Sequence, residues 1–293
     1  THRMSSAASD VYKRQVLSAH TDTVPADKDQ WSYNPYKLKI QDNKYYGRGT
    51  SDMKGFISLV LAITPWVISK SFDKPLHVAL SYDEEVGCLG VGPLIDVMKN
   101  NICPPEVVIV GEPTDLKIIN QHKSCHTFET EFYGKKGHSC YPDWGCNAIY
   151  FANEFVNELR KIEYSLVHSD VDNNFEPPYS SLNVGRIDGG VAHNIIPDYA
   201  KVIWNIRCLP HANFQDLLRD LFEKKVPLLE SKMKQKYCDA FISNRNISNI
   251  LPLNQKNYPE ILNTLTKKDP KHKCGVSYGT DAGYFSKIGW PTI

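Results

Sequence analysis

His20 and Asp22 stand two residues apart in VLSAHTDTVP, directly after a short apolar run. Further acidic residues follow at comparable breaks in the sequence. Asp52 lies in YGRGTSDMKG, Asp83-Glu84-Glu85 follows the run LHVALSY, and Glu112 follows VVIVG. Carboxylates gathered in one place repel, and each raises the proton affinity of the next. A divalent cation resolves that conflict, and one imidazole with several oxygens suits zinc, cobalt or manganese. The set does not suit a cysteine-rich structural zinc site, since none of the eight cysteines forms a C-x-x-C pair. His20 then reads as a ligand, with Asp22 placed to take the other ring N–H and fix the tautomer. Each piece alone has a plainer reading. A His-x-Asp at a strand end is commonly a surface turn, and a Glu-Glu pair is commonly a solvated helix start. The weight rests on the order and spacing of the whole set.

The elements that must deliver these side chains alternate in type. Residues 16–19, 76–82 and 106–110 read as apolar strands, and residues 54–69 and 90–99 as helices. Pro65 should kink or shorten the first helix. Residues 38–40 and 44–46 flank Gln41-Asp42-Asn43, which reads as a hairpin turn. Apolar strands separated by helices predict an α/β fold with a largely parallel sheet covered on both faces. Ligands bind such sheets beyond the carboxyl ends of the strands, where His20, Glu84, Glu85 and Glu112 fall.

Beyond residue 123 the pattern changes. Residues 127–133 alternate apolar and polar, and 148–162 form an amphipathic helix. Residues 182–187 and 199–208 read as strands, and 214–232 as a helix. Strand–helix–strand–strand–helix is the order of a split βαβ sandwich. The expected organisation is a metal-binding domain over 16–123 and 239–293, interrupted by a small α+β domain over 124–238. Residues 1–15 are polar and aperiodic and are expected to be foreign to the fold. The sequence stops at Ile293 with no terminal helix or polar tail, and reads as truncated there.

The formal net charge is +1, which gives no general attraction to nucleic acid or to an anionic membrane. The longest apolar segment, residues 56–68, is interrupted by Ser58, Thr64 and Pro65 and does not predict a membrane span. The cysteines are scattered, which fits a reducing cytoplasm, with most of them as buried small hydrophobes.

Several segments in order resemble the M20 metallopeptidase/deacylase family. They are HTDTVP, GRGTSDMKG, YDEEVGCLG, GEPT, GKKGHSC, SSLNVGRIDGGVAHNIIPD and YGTDAGYF. The resemblance spans residues 16–293. SYDEEVGCLGV, GEPTDLKIINQHKS and PPYSSLNVGRIDGGVAHNIIPD direct it to the acetylornithine deacetylase branch. It implies a zinc-exopeptidase-like catalytic domain with an inserted ferredoxin-like dimerisation domain, and so a homodimer. It implies two divalent metal ions, zinc or cobalt. His20 and Glu112 would bind one, Asp52 would bridge the two, and Glu85 would bind the second. Glu84 would be the general base, Asp22 would orient His20, and the Asp52–Met53 peptide would be cis. His138 would stabilise the oxyanion in a neighbouring subunit's site. Asn194 and Arg207 would bind the substrate carboxylate, and Gly279, Thr280 and Asp281 would line the substrate pocket.

A family histidine that completes the second metal site would lie beyond Ile293, so that site is expected to be incomplete in this sequence. His272 stays a loop residue. The implied activity is removal of the acetyl group from N-acetylornithine, a step of arginine biosynthesis. Succinyl-diaminopimelate desuccinylation, or hydrolysis of another acyl-amino acid or peptide, is the alternative within the family. Outside it stands a non-catalytic metal- or peptide-binding protein.

Overall fold

The computed structural model describes residues 14–70, 74–255 and 274–293. His272 and residues 1–13 of the segment expected to be foreign lie outside the described residues, whereas Gln15 already belongs to the first strand. The chain divides into two units. One holds the described residues of Thr1–His122, Leu253–Gly275 and Gly279–Ile293; the other holds Lys123–Pro252 and Val276–Tyr278.

In the first unit, β1 (Gln15–His20) is the centre of a three-stranded sheet. The hairpin follows as β2 (Lys39–Gln41) and β3 (Lys44–Tyr46). Its turn is Asp42-Asn43, both at positive φ, the backbone that a two-residue hairpin turn needs. Helix α1 (Lys54–Ile68) leads to β4 (Leu76–Ser81), and α2 (Val91–Asn101) leads to β5 (Val107–Val110). Both outer strands run parallel to β1, with Leu17 opposite Val78 on one side and Ile109 on the other. All three carboxyl ends therefore reach the same rim. Pro65 does not end α1. It lies in the last turn, where its missing N–H removes a single helical bond, and the Ser69 N–H still reaches the Pro65 carbonyl at 3.1 Å. The covering of both sheet faces is incomplete among the described residues: Val78 and Leu80 of β4 are exposed, as are Leu59, Leu61 and Trp66 of α1.

The second unit follows a two-residue strand of the first, β6 (Gln121–His122). It begins with β7 (Ser124–Tyr133), the short β8 (Gly137–His138) and α3 (Ala148–Val167). It continues with β9 (Ser181–Gly189), β10 (Ile195–Ile196) and β11 (Tyr199–Cys208). The helix expected over 214–232 is three pieces: α4 (Phe214–Asp220), a π turn (Leu221–Lys225) and α5 (Val226–Lys236). A last strand, β12 (Phe241–Ile250), completes an antiparallel sheet in the order β12-β7-β11-β9. With two helical segments between its strands, this is the ferredoxin-like order. Alternation on β11 turns Ala200, Val202, Trp204, Ile206 and Cys208 inward. There Trp204 stacks on Phe128 at 4.6 Å and meets the edge of Phe155 at 6.0 Å.

β12 corrects the expected return to the first domain at residue 239, because Ile242 pairs opposite Phe132. Its sequence, FISNRNISNI, conceals a strand. As an edge strand it buries only Ile242 and leaves its polar residues in solvent. The first unit resumes with β13 (Leu253–Asn254), paired to β6, and later forms α6 (Ala282–Lys287). None of the eight cysteines is in a disulfide. Four are buried, and Cys103, Cys140 and Cys238 are exposed, so burial is less general than expected. Among the described residues no helix is long and apolar enough to cross a membrane.

Candidate active site

His20 is the last residue of β1 and is 1% exposed. Its Nε2 lies 2.9 Å from Asp52 Oδ1 and 4.0 Å from Glu112 Oε1. Its Nδ1 faces Asp22, 3.1 Å from the backbone carbonyl and 3.4 Å from the carboxylate. The His20 N–H donates to the Met53 sulfur at 3.3 Å, and the Asp52–Met53 peptide is cis, as the resemblance implies.

Asp22 also reaches the next loop. Its Oδ1 accepts the Glu84 N–H at 3.2 Å and its Oδ2 accepts the Glu85 N–H at 3.1 Å. The turn over residues 82–90 is compact, with Asp83 and Cys88 at positive φ and the Gly90 N–H donating to the Tyr82 carbonyl at 3.0 Å. Glu85 Oε1 accepts the Val24 N–H at 3.2 Å. Glu112 follows Gly111, where a Cβ would stand 2.2 Å from the Phe56 ring. Only glycine lets the end of β5 approach α1 this closely.

Two groups of potential ligand atoms within 4.8 Å of one another centre on His20: His20 with Asp52 and Glu85, and His20 with Glu84 and Glu112. The electrostatics show how strained the set is as a collection of bare charges. Burial, and then the Asp281 and Glu85 charges, push Glu84 up to about 7. Burial and the Glu84 charge push Glu112 well above the carboxylate range. Glu85 is raised by burial and by Asp52. For His20 burial acts downward, but the Asp52 hydrogen bond and the surrounding carboxylates outweigh it and raise its proton affinity. The shifts of these four groups all favour added positive charge. One imidazole among four carboxylates fits a divalent cation in donor type.

The remaining candidates divide between the units. In the first, Thr280 is buried, and its hydroxyl accepts the Ala282 N–H at 3.1 Å and meets His122 Nε2 at 3.3 Å. Gly279 precedes it in the loop before α6. In the second, β8 pairs with β10, and the Ser139 N–H donates to the Asn194 carbonyl at 3.0 Å. His138 and Asn194 are thus neighbours. His138 is exposed, and its Nδ1 accepts the Cys140 N–H at 3.1 Å. Arg207 donates to the Ser277 carbonyl at 3.3 Å.

Residues 16–293 match the sequence model of peptidase family M20/M25/M40. The chain belongs to the M20 metallohydrolase family. An acetylornithine deacetylase of Buchnera aphidicola subsp. Acyrthosiphon pisum (strain Tuc7) is 30% identical over 278 residues, covering 95% of this chain and 71% of that protein. An M20 family metallo-carboxypeptidase from Sulfolobus solfataricus shares the fold with a TM-score of 0.69 at 17% identity, over 96% of this chain and 76% of that one. A dinuclear metal binding peptidase of the M20 family from Bacillus subtilis gives 0.56 at 12% identity, over 96% and 71%.

Met53, named in sequence for its cis peptide, is fully buried beneath His20. Sequence reasoning did not single out two residues of this candidate site: Cys88 donates to Glu84 Oε1 at 3.5 Å, and Ser81 closes β4 with a buried hydroxyl. Ser81 carried a signal, a polar side chain in phase with the inward-facing Ala79. Cys88 carried none, because its place depends on a left-handed backbone inside the turn.

Proposed function

We propose that the chain hydrolyses the amide bond of an N-acyl amino acid, with N-acetylornithine as its substrate. The observation that carries this is the convergence of His20, Asp52, Glu84, Glu85 and Glu112. The acetylornithine deacetylase relative supports the choice of substrate, and the dinuclear peptidase relative supports a count of two metals. His20 and Glu112 would hold one divalent cation, zinc or cobalt, and Glu85 the other, with Asp52 shared. Bound there, the cations supply Lewis-acid polarisation of the amide carbonyl and make water acidic enough to attack near neutral pH.

Glu84 takes the proton as water attacks the carbonyl carbon. The C–N bond then breaks, and the Glu84 proton passes to the leaving nitrogen, giving acetate and ornithine. Asp22 holds the Glu84–Glu85 turn and the His20 ring in place throughout. His138 donates to the tetrahedral oxyanion in a neighbouring subunit, and Asn194 and Arg207 take the substrate carboxylate, for which a guanidinium fork is suited. The inserted unit carries a homodimer, which sedimentation at micromolar concentration would show.

Acetate release from N-acetylornithine, with zinc or cobalt added and succinyl-diaminopimelate run in parallel, tests this reading. The expected result is release from acetylornithine alone. It should be abolished by Glu84→Gln, with bound metal unchanged. Turnover of the succinyl substrate alone would overturn the substrate, and full activity in Glu84→Gln would overturn the mechanism.

A further inference from the structure

Asp281 and Ser81 are 200 positions apart in sequence, yet Asp281 Oδ2 accepts the Ser81 hydroxyl at 2.6 Å. The residues are 2% and 1% exposed. A short contact to a carboxylate in a buried setting is among the stronger polar ties a fold can make. What it ties is the rim of the candidate site. Ser81 ends β4, and the chain runs from it directly to Glu84 and Glu85. The Ser81 carbonyl accepts both the N–H and the hydroxyl of Thr21, each at 3.0 Å, and Thr21 stands between His20 and Asp22. One serine therefore joins the two turns that carry the reactive side chains. Asp281 anchors that serine from the start of α6.

The same carboxylate lies against Glu84 itself. Ligand atoms of Glu84, Cys88 and Asp281 fall within 4.8 Å of one another. The Cys88 thiol donates to Glu84 Oε1 at 3.5 Å, so the two buried carboxylates crowd one sulfur, an arrangement that packing alone does not require.

We infer that Asp281 is a positioning residue for the proposed reaction, acting through Ser81 to fix where the Glu84 carboxylate stands. The inference rests on the reading of Glu84 as general base. Asp281 contacts neither water nor substrate in this role, and its effect is felt only through Glu84.

The test uses the full chain with zinc added and N-acetylornithine as substrate. Asp281→Ala should lower kcat about 10- to 100-fold, as small misplacements of a reacting group do, with KM and bound metal within about twofold of wild type. Asp281→Asn keeps an oxygen for the Ser81 hydroxyl and should restore most of kcat. In a Glu84→Gln background, Asp281→Ala should cost nothing further. A wild-type kcat in Asp281→Ala would overturn the inference, as would an undiminished loss on top of Glu84→Gln. If Asp281→Ala fails to give a cooperative melt, Ser81→Ala cuts the same tie from the other side, and a wild-type kcat there overturns it equally. Absence of any Glu84-dependent hydrolysis by the wild type would remove the general-base reading, and this inference with it. Glu84-dependent hydrolysis that ignores both Asp281→Ala and Ser81→Ala would remove this inference alone.

Discussion

The carboxylate of Asp22 holds the backbone N–H of Glu85 at 3.1 Å. Its other oxygen holds the Glu84 N–H at 3.2 Å, while the nearest Asp22 atom to His20 Nδ1 is the backbone carbonyl, at 3.1 Å. The residue thus does more than aim an imidazole, because it locks the turn after β4 to the turn after β1. Asp22→Asn offers one acceptor where two amides wait, and sets its own NH2 group against one of them. Metal affinity should fall about 10- to 100-fold, as for other groups that support ligands from behind. Competition with a chromophoric chelator measures this. Unchanged affinity would show that the turns hold their places without the carboxylate.

The crowded acids make the stability of the metal-free protein depend on pH in a definite direction. Glu84, at about 7, and Glu112 and Glu85, also raised, bind protons in the folded state that they release when unfolded near their ordinary values. His20, raised as well, adds the same sign above pH 6.5. The folded state binds more protons across this window, so stability falls as pH rises. Melting of the metal-free chain should drop by several degrees between pH 6 and pH 9. Added zinc displaces those protons and should raise the melting temperature more at pH 8 than at pH 6. A metal-free melting temperature that climbs with pH would contradict the arrangement.

His138 is exposed, and its ring accepts a single backbone N–H, from Cys140. Its replacement therefore tests catalysis with little cost to folding. His138→Ala should lower kcat about 100- to 1000-fold if the ring donates to the oxyanion, with the melting temperature unchanged. An unaltered rate would leave His138 as a turn residue.

Much of this arrangement is legible in the sequence because strand ends announce it. His20, Glu84, Glu85 and Glu112 each follow an apolar run, and parallel pairing of β1 with β4 and β5 brings runs of that kind to one rim. What was not legible depends on partners distant in sequence. Ser81 reads as a strand residue until Asp281 is seen beside it. Thr280, expected to line a pocket, spends its hydroxyl on the start of α6 and on His122. β12 carries little sequence signal, because an edge strand buries one residue in several and leaves weak alternation. The π turn in the helical run from Phe214 to Lys236 has no local sequence signal.

Gly111 sets how closely the Glu112 strand end approaches α1. A Cβ there would lie 2.2 Å from the Phe56 ring, well inside contact distance, so one of the two must move. Gly111→Ala should destabilise the protein by about 1–3 kcal/mol through overpacking, seen as a lower denaturant midpoint. It should also weaken metal binding by shifting Glu112. The clash names its own remedy. Phe56→Leu replaces the flat ring with a smaller branched side chain, and combined with Gly111→Ala it should recover metal affinity even though Phe56→Leu alone loses packing. That non-additivity is the expected mark of two residues in direct contact. Additive losses in the double variant would mean that Glu112 is held in place by something other than the fit of Phe56 over Gly111.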